Sequence, residues 1–282
     1  MNILRKIFRV CYSIWQDHKQ KISWKRQYCR CIEEELVESS HQSFDDLQIK
    51  KILILCPHAD DEWIGCSSLI SSDRYQADVL YYSLYGYNQS EENKVIRDQE
   101  IRKCAMDRHF SLLTSSDITQ TLKDLLVSNK YDAVFSPSPI DWHWEHRYVF
   151  DTLVEVYTNL KVSTRIFCYF ISVPHVDAEG IYLSYLGEKK QKMKWLFFDQ
   201  NYASQKMPNM RYMLQERLNV SESKKYAAEI FQELSDQRLR KIYNYIHQDH
   251  VVGFLNSLSK EINNIYQIRK ICKHLRDEGY TE

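Results

Sequence analysis

Apolar residues in this 282-residue chain come in short continuous runs, separated by stretches of helical periodicity. The run Lys51-Ile-Leu-Ile-Leu55 has no polar side chain after its first residue, as expected of a strand covered on both faces. Segments 78–83, 131–135 and 166–171 have the same character, and each predicts a strand. Helices are predicted between and after them at 63–71, 92–108, 119–128 and 146–160, the last from Val149, Leu153, Val156 and Leu160 at helical spacing. This alternation predicts an α/β fold with a doubly wound, mostly parallel, Rossmann-like sheet. From Lys224 to the end the pattern is helical and rich in Lys, Glu and Tyr, so a helical cap on the core is expected. The expected organisation is a basic amphipathic helical segment at residues 1–49, an α/β domain at 50–232 and a helical C-terminal extension at 233–282.

The chain is long enough for one domain with a sizeable core. Hydrophobic residues make up 44%, which argues against both disorder and a membrane-spanning fold. Lys plus Arg and Asp plus Glu are both 38, so no global charge points to a nucleic-acid partner. Eight scattered cysteines, with Cys29-Arg-Cys31 the closest pair, and no secretory signal lead us to expect reduced thiols and a cytoplasmic protein. No GxGxxG follows the first strand and no phosphate-binding GKT or GKS is present, which disfavours the familiar nucleotide-binding folds.

The chemistry gathers at two strand ends. The first strand empties into His58-Ala-Asp-Asp-Glu62, one imidazole and three consecutive carboxylates. Unpaired carboxylates resist desolvation, and a divalent metal would compensate them. In open α/β sheets, ligands bind just beyond such strand ends. The strand at 131–135 runs through Ser136-Pro-Ser-Pro139, read as a turn, to Asp141-Trp-His-Trp-Glu-His146. His143 and His146, three apart at a helix start, point to one side. Imidazole and carboxylate donors suit a borderline ion such as Zn²⁺, with Fe²⁺ or Co²⁺ able to replace it. Cys56 and Cys66 flank the first motif and read as small buried residues.

These residues resemble the PIG-L/LmbE-like zinc-dependent N-deacetylases. The family's first motif, (A/P)HxDDE, stands here as Pro57-His58-Ala59-Asp60-Asp61-Glu62, and its second as His143-Trp144-Glu145-His146. Arg97-Asp-Gln-Glu100 with Cys104-Ala105, Tyr202-Ala-Ser-Gln205 and Tyr226-Ala-Ala-Glu-Ile-Phe231 are similar to weaker motifs in the same order. The resemblance spans about residues 50–231 and implies that His58, Asp61 and His146 bind zinc. Asp60 would then be the general base and later the general acid, and a protonated His143 would stabilise the oxyanion, kept charged by Glu145 or Asp141. Glu62 reads as a carboxylate at a helix N-terminus. The implied activity is removal of the N-acetyl group from an N-acetylglucosamine-type amino sugar or its glycoconjugate. Alternatives are a deacylase of another small amide or lipid-linked intermediate, and a metal-binding scaffold without catalysis. Two departures bear on substrate: Trp144-Glu145 replaces the usual Pro-Asp, and the loop after Ser83 carries Tyr85 and Tyr87.

Residues 1–30 carry eight basic residues against one acid, Asp17. Ile3, Leu4, Ile7, Phe8, Cys11, Ile14 and Trp15 recur at three- and four-residue steps. Residues 1–20 therefore suit two states equally, a helix lying on an anionic membrane surface and a helix docked on its own protein.

Overall fold

The computed structural model describes residues 2–36, 42–85, 89–128, 130–160, 162–175, 180–205, 207–220 and 226–277. Its helices are α1 (Asn2–Glu33), α2 (Asp61–Ile70), α3 (Glu91–Arg108), α4 (Ile118–Val127), α5 (Trp144–Tyr157), α6 (Glu188–Asn201), α7 (Asn209–Leu218), α8 (Asp236–Ile246), α9 (Asp249–Ser257) and α10 (Ile265–Asp277). Its strands are β1 (Lys51–Cys56), β2 (Gln76–Tyr81), β3 (Ser111–Leu113), β4 (Ala133–Pro137), β5 (Arg165–Tyr169), β6 (Ile181–Gly187) and β7 (Tyr226–Leu234).

Among the described residues the strands form one seven-stranded sheet in the order β3-β2-β1-β4-β5-β7-β6. Strands β1 to β5 pair in parallel, while β7 runs antiparallel to both neighbours. The order reverses between β1 and β4, paired through Ile54 and Phe135. That is the switch point at which an open α/β sheet leaves a crevice for ligands. Strand β1 is buried on both faces, as its composition requires. Ile52, Ile54 and Cys56 enter the core beneath α2, α3 and α6, and Leu53 and Leu55 the core beneath α4, α5 and α8.

Each of the four predicted strands and four predicted helices is present, with ends shifted by a few residues. Ser136 and Pro137, read as part of a turn, instead close β4. The reading of the last stretch as helical throughout needs correction. Lys224 lies outside the described residues, and Tyr226–Leu234 is a central strand. Glu229 and Glu233 interrupt its apolar run and hide its strand character from a reading by periodicity. Both acids are neutralised by distant chain: Glu229 by Lys194 at 2.6 Å, Glu233 by Arg165 through bonds of 2.6 and 2.7 Å. Helices follow only after Leu234. No helix among the described residues is long and apolar enough to cross a membrane.

Candidate active site

The turn from β1 into α2 spans Pro57 to Asp60, and the chain can make it only through unusual backbone. Asp60, the N-cap of α2, has φ 133°. A non-glycine residue there carries strain of about 1–3 kcal/mol, and such strain persists only where surroundings over-determine it. They do so here. The Asp60 N–H donates to Glu62 Oε2 at 3.1 Å, Gln205 donates to the Ala59 carbonyl, and Arg97 Nη2 lies 3.7 Å from Asp60 Oδ1. Glu62 is fully buried and also accepts from the Tyr202 hydroxyl and, at 3.2 Å, from Cys56 Sγ. It stands in the first turn of α2, as a dipole-stabilised carboxylate would, but its hydrogen bonds make it the anchor of the turn. Gly65 lets α2 approach the sheet closely, since a side chain there would collide with the Tyr169 ring.

The first turn of α5, reached from the neighbouring β4, supplies the other half. Asp61 Oδ2 lies 3.1 Å from His58 Nδ1 and 3.4 Å from His146 Nε2, and accepts the His58 backbone N–H at 3.0 Å. One donor atom from each of His58, Asp61 and His146 falls within 4.8 Å of the others, with all three residues buried. Asp141 Oδ2 holds His146 Nδ1 at 3.2 Å, leaving Nε2 turned towards Asp61; it is buried and in no hydrogen bond. A carboxylate on one ring nitrogen with the other left to a metal is the usual way a ligating histidine is oriented. The donor set, its spacing and the orphaned Nε2 therefore fit a divalent ion.

Electrostatics agree. Burial works against charge on His146, yet Asp61 and Asp141 outweigh it and raise the ring to about 10. Burial and neighbouring Asp61 push the Asp60 carboxyl well above the usual range, with Arg97 opposing. Burial also pushes His143 down to about 4 despite Asp141. Asp141 accepts the His143 backbone N–H at 3.1 Å through one carboxylate oxygen and faces His146 Nδ1 with the other. Beside His143, where the sequence set it, Asp141 also faces the His146 ring, a contact that sequence reasoning missed; its place five residues before His146 was the available signal.

His143 caps α5 with its ring 4.9 Å from that of His146 and 5.6 Å from that of His58. Both Asp60 and His143 face the same cavity, about 360 Å³, as the three donor residues. Its walls mix apolar Ile64, Ile171, Met207 and Tyr212 with polar Gln89, Arg97, Ser172 and Gln205. Glu145 lines it, whereas Trp144 is exposed and packs edge-on against Tyr148, so the bulky departure from the motif sits outside the lining. Tyr85 bonds Asp98, and Tyr87 lies outside the described residues. Cys56 and Cys66 are buried, and all eight cysteines are free thiols.

The same fold occurs in a solved structure. An N,N'-diacetylchitobiose deacetylase from Pyrococcus horikoshii, complexed with its inhibitor, superposes with a TM-score of 0.52 at 17% identity, over 74% of this chain and 92% of that one. A deacetylase of the teicoplanin biosynthetic pathway gives 0.49 at 11% identity, over 66% and 99%. The conserved protein TT1542 from Thermus thermophilus gives 0.46 at 17%, over 64% and 93%. No family model and no curated protein sequence matches the chain. At 17% identity, the property shared with the Pyrococcus horikoshii protein is the fold.

Proposed function

We propose that the protein is a metal-dependent amide hydrolase that removes the acetyl group from the nitrogen of an amino sugar, free or within a glycoconjugate. One observation carries the proposal: a buried His58–Asp61–His146 donor set with His146 Nε2 in no hydrogen bond, facing a cavity that also receives the Asp60 carboxylate. The archaeal protein of the same fold is by name a deacetylase of an acetylated amino sugar, which supports the substrate class.

In this reading His58, Asp61 and His146 hold the ion, Zn²⁺ by donor chemistry, with Fe²⁺ or Co²⁺ fitting the same atoms. When bound, the ion lowers the pKa of a water and polarises a carbonyl. Asp60 takes the proton from the attacking water and returns it to the amide nitrogen as the C–N bond breaks, so acetate and a free amine leave. A carboxyl group pushed above its usual range is suited to both roles. His143 donates a ring N–H to the oxygen that gains negative charge, as a neutral imidazole. Ile64, Ile171 and Met207 offer an apolar wall for the acetyl methyl, and Gln89, Arg97 and Gln205 offer partners for hydroxyls.

Purified protein with Zn²⁺, Fe²⁺ or Co²⁺ should release acetate from one or more N-acetylated amino sugars presented free, nucleotide-linked and lipid-linked. Release of a different acid from another amide would keep the chemistry and move the substrate. Stoichiometric metal with no hydrolysis across the panel would leave a metal-binding scaffold instead.

A further inference from the structure

We infer that the N-terminal half of α1 is a docking surface for an anionic lipid membrane, and that it leaves the body beside the cavity rim. The two halves of α1 are used differently. The second half packs on α7 and α10 through Trp24 and Cys31, which cluster with Leu214, Leu218, Ile265 and Tyr266. The first half carries Phe8, Ile14 and Trp15 at 71%, 64% and 53% exposure, with Val10, Cys11 and Tyr12 also exposed. At about 100° per residue these six side chains fall within an arc of about 200°, and Trp24 and Cys31 lie about 140° and about 160° from its centre. The apolar stripe therefore faces away from the side by which α1 meets its own protein. Exposed Ile22 and Ile32 continue the stripe along the docked half. Of the two readings of this segment, self-docking holds for the second half and leaves the stripe unused.

Charge selects the occupant. Residues 1–30 hold eight basic residues and one acid, whereas the rest of the chain holds 30 basic and 37 acidic residues. Asp17 is already paired with Lys21 at 2.7 Å. Pairing the stripe with that of a second copy would bring two strongly positive helices together, and an anionic lipid surface would attract both. Aromatic Phe8, Tyr12 and Trp15 among apolar neighbours, with Arg5, Lys6, Arg9 and Lys19 around them, match a helix lying at a headgroup boundary.

The geometry also sets the orientation. The Trp24 indole N–H donates to the Asn263 carbonyl at 3.0 Å, and the preceding Ile262 lines the catalytic cavity while half-exposed. Residues before Trp24 leave the body at that corner, so a surface holding the stripe lies next to the cavity opening.

The test uses the full chain and needs no turnover. The protein should sediment with phosphatidylcholine vesicles containing phosphatidylserine. Binding should weaken by about tenfold or more on phosphatidylcholine alone, or at about 1 M salt where the Debye length falls to about 3 Å. Brominated lipids should quench wild-type fluorescence more than that of Trp15→Phe. Phe8→Glu with Ile14→Glu, at exposed positions, should abolish binding with melting temperature unchanged, and Arg5→Glu with Lys6→Glu and Arg9→Glu should do the same. Vesicle binding that survives these changes overturns the inference. So does concentration-dependent self-association that the Phe8 and Ile14 changes remove, because the occupant is then a second copy. Unfolding of either variant would also overturn it, since the stripe would then belong to the fold.

Discussion

Helix α2 lies between two buried groups of acids that are neutralised in different ways. Beside its later turns, Lys194 Nζ sits 2.6 Å from Glu216 Oε1, from Glu229 Oε1 and from the Ile64 carbonyl, and Ser67 and Ser68 donate to Glu229. At its start, Asp60, Asp61 and Glu62 are equally buried, yet no lysine or arginine among the described residues reaches Asp61; its partners are two imidazoles. The first cluster brings its own cation, Lys194, although Lys194 and Ser67 also line a cavity of about 300 Å³. The second is offset only by Arg97 beside Asp60 and by imidazoles beside Asp61, and it opens onto a cavity with one buried ring nitrogen in no hydrogen bond. Burial of acids alone does not mark a functional site; acids that share a cavity with imidazoles of metal-ligand spacing do.

The largest effect should come from breaking the lysine-neutralised cluster. Lys194→Met leaves Glu216 and Glu229 buried without their cation and should cost about 3–5 kcal/mol of stability, read by denaturant unfolding. A loss below about 1 kcal/mol would mean that water reaches these acids and that the two clusters differ less than their geometry suggests. At the open cluster, Asp60→Asn should lower acetate release by about 10²-fold, roughly 2.7 kcal/mol, at unchanged metal content. His58→Ala should instead lose the metal. Near-full activity of Asp60→Asn would assign the proton transfers to another group.

Asp141→Asn sharpens the comparison further. It removes the carboxylate that aims His146 and should weaken metal affinity by about 10- to 100-fold in a competition titration. The last effect is a pH dependence. In the metal-free site His146 is raised to about 10 by Asp61 and Asp141, against the effect of burial. Its stabilising contribution is therefore complete below its ordinary value of about 6.5 and lost as pH climbs towards 10. An incoming ion must displace that proton, so affinity should rise about tenfold per unit between about pH 7 and 9. Affinity flat over that range would mean that His146 is already neutral in the empty site.

Most of the parallel half of the sheet was legible in the sequence because its strands are buried on both faces and must be continuously apolar. The motif His58 to Glu62 was legible because its members are neighbours in the chain. The approach of His58 and Asp61 to His146 could be foreseen only as a consequence of a parallel sheet. Strand β7 was not legible: Glu229 and Glu233 look like helix-surface acids until Lys194 and Arg165, 35 and 68 residues away, are set against them. The partner of Asp141 was hidden for a related reason, since its two oxygens could serve His143 or His146 and only the start of α5 decides.

The N-terminal segment shows the same division. Its sequence determined a basic, amphipathic helix, because periodicity and charge are local properties of the chain. It could not determine which side of that helix meets the protein. Tertiary packing decided that, by burying Trp24 and Cys31 on the side away from the apolar stripe. Periodicity records which residues share a face, while contact depends on the shape and charge of chain more than two hundred residues away, around Asn263 and Tyr266.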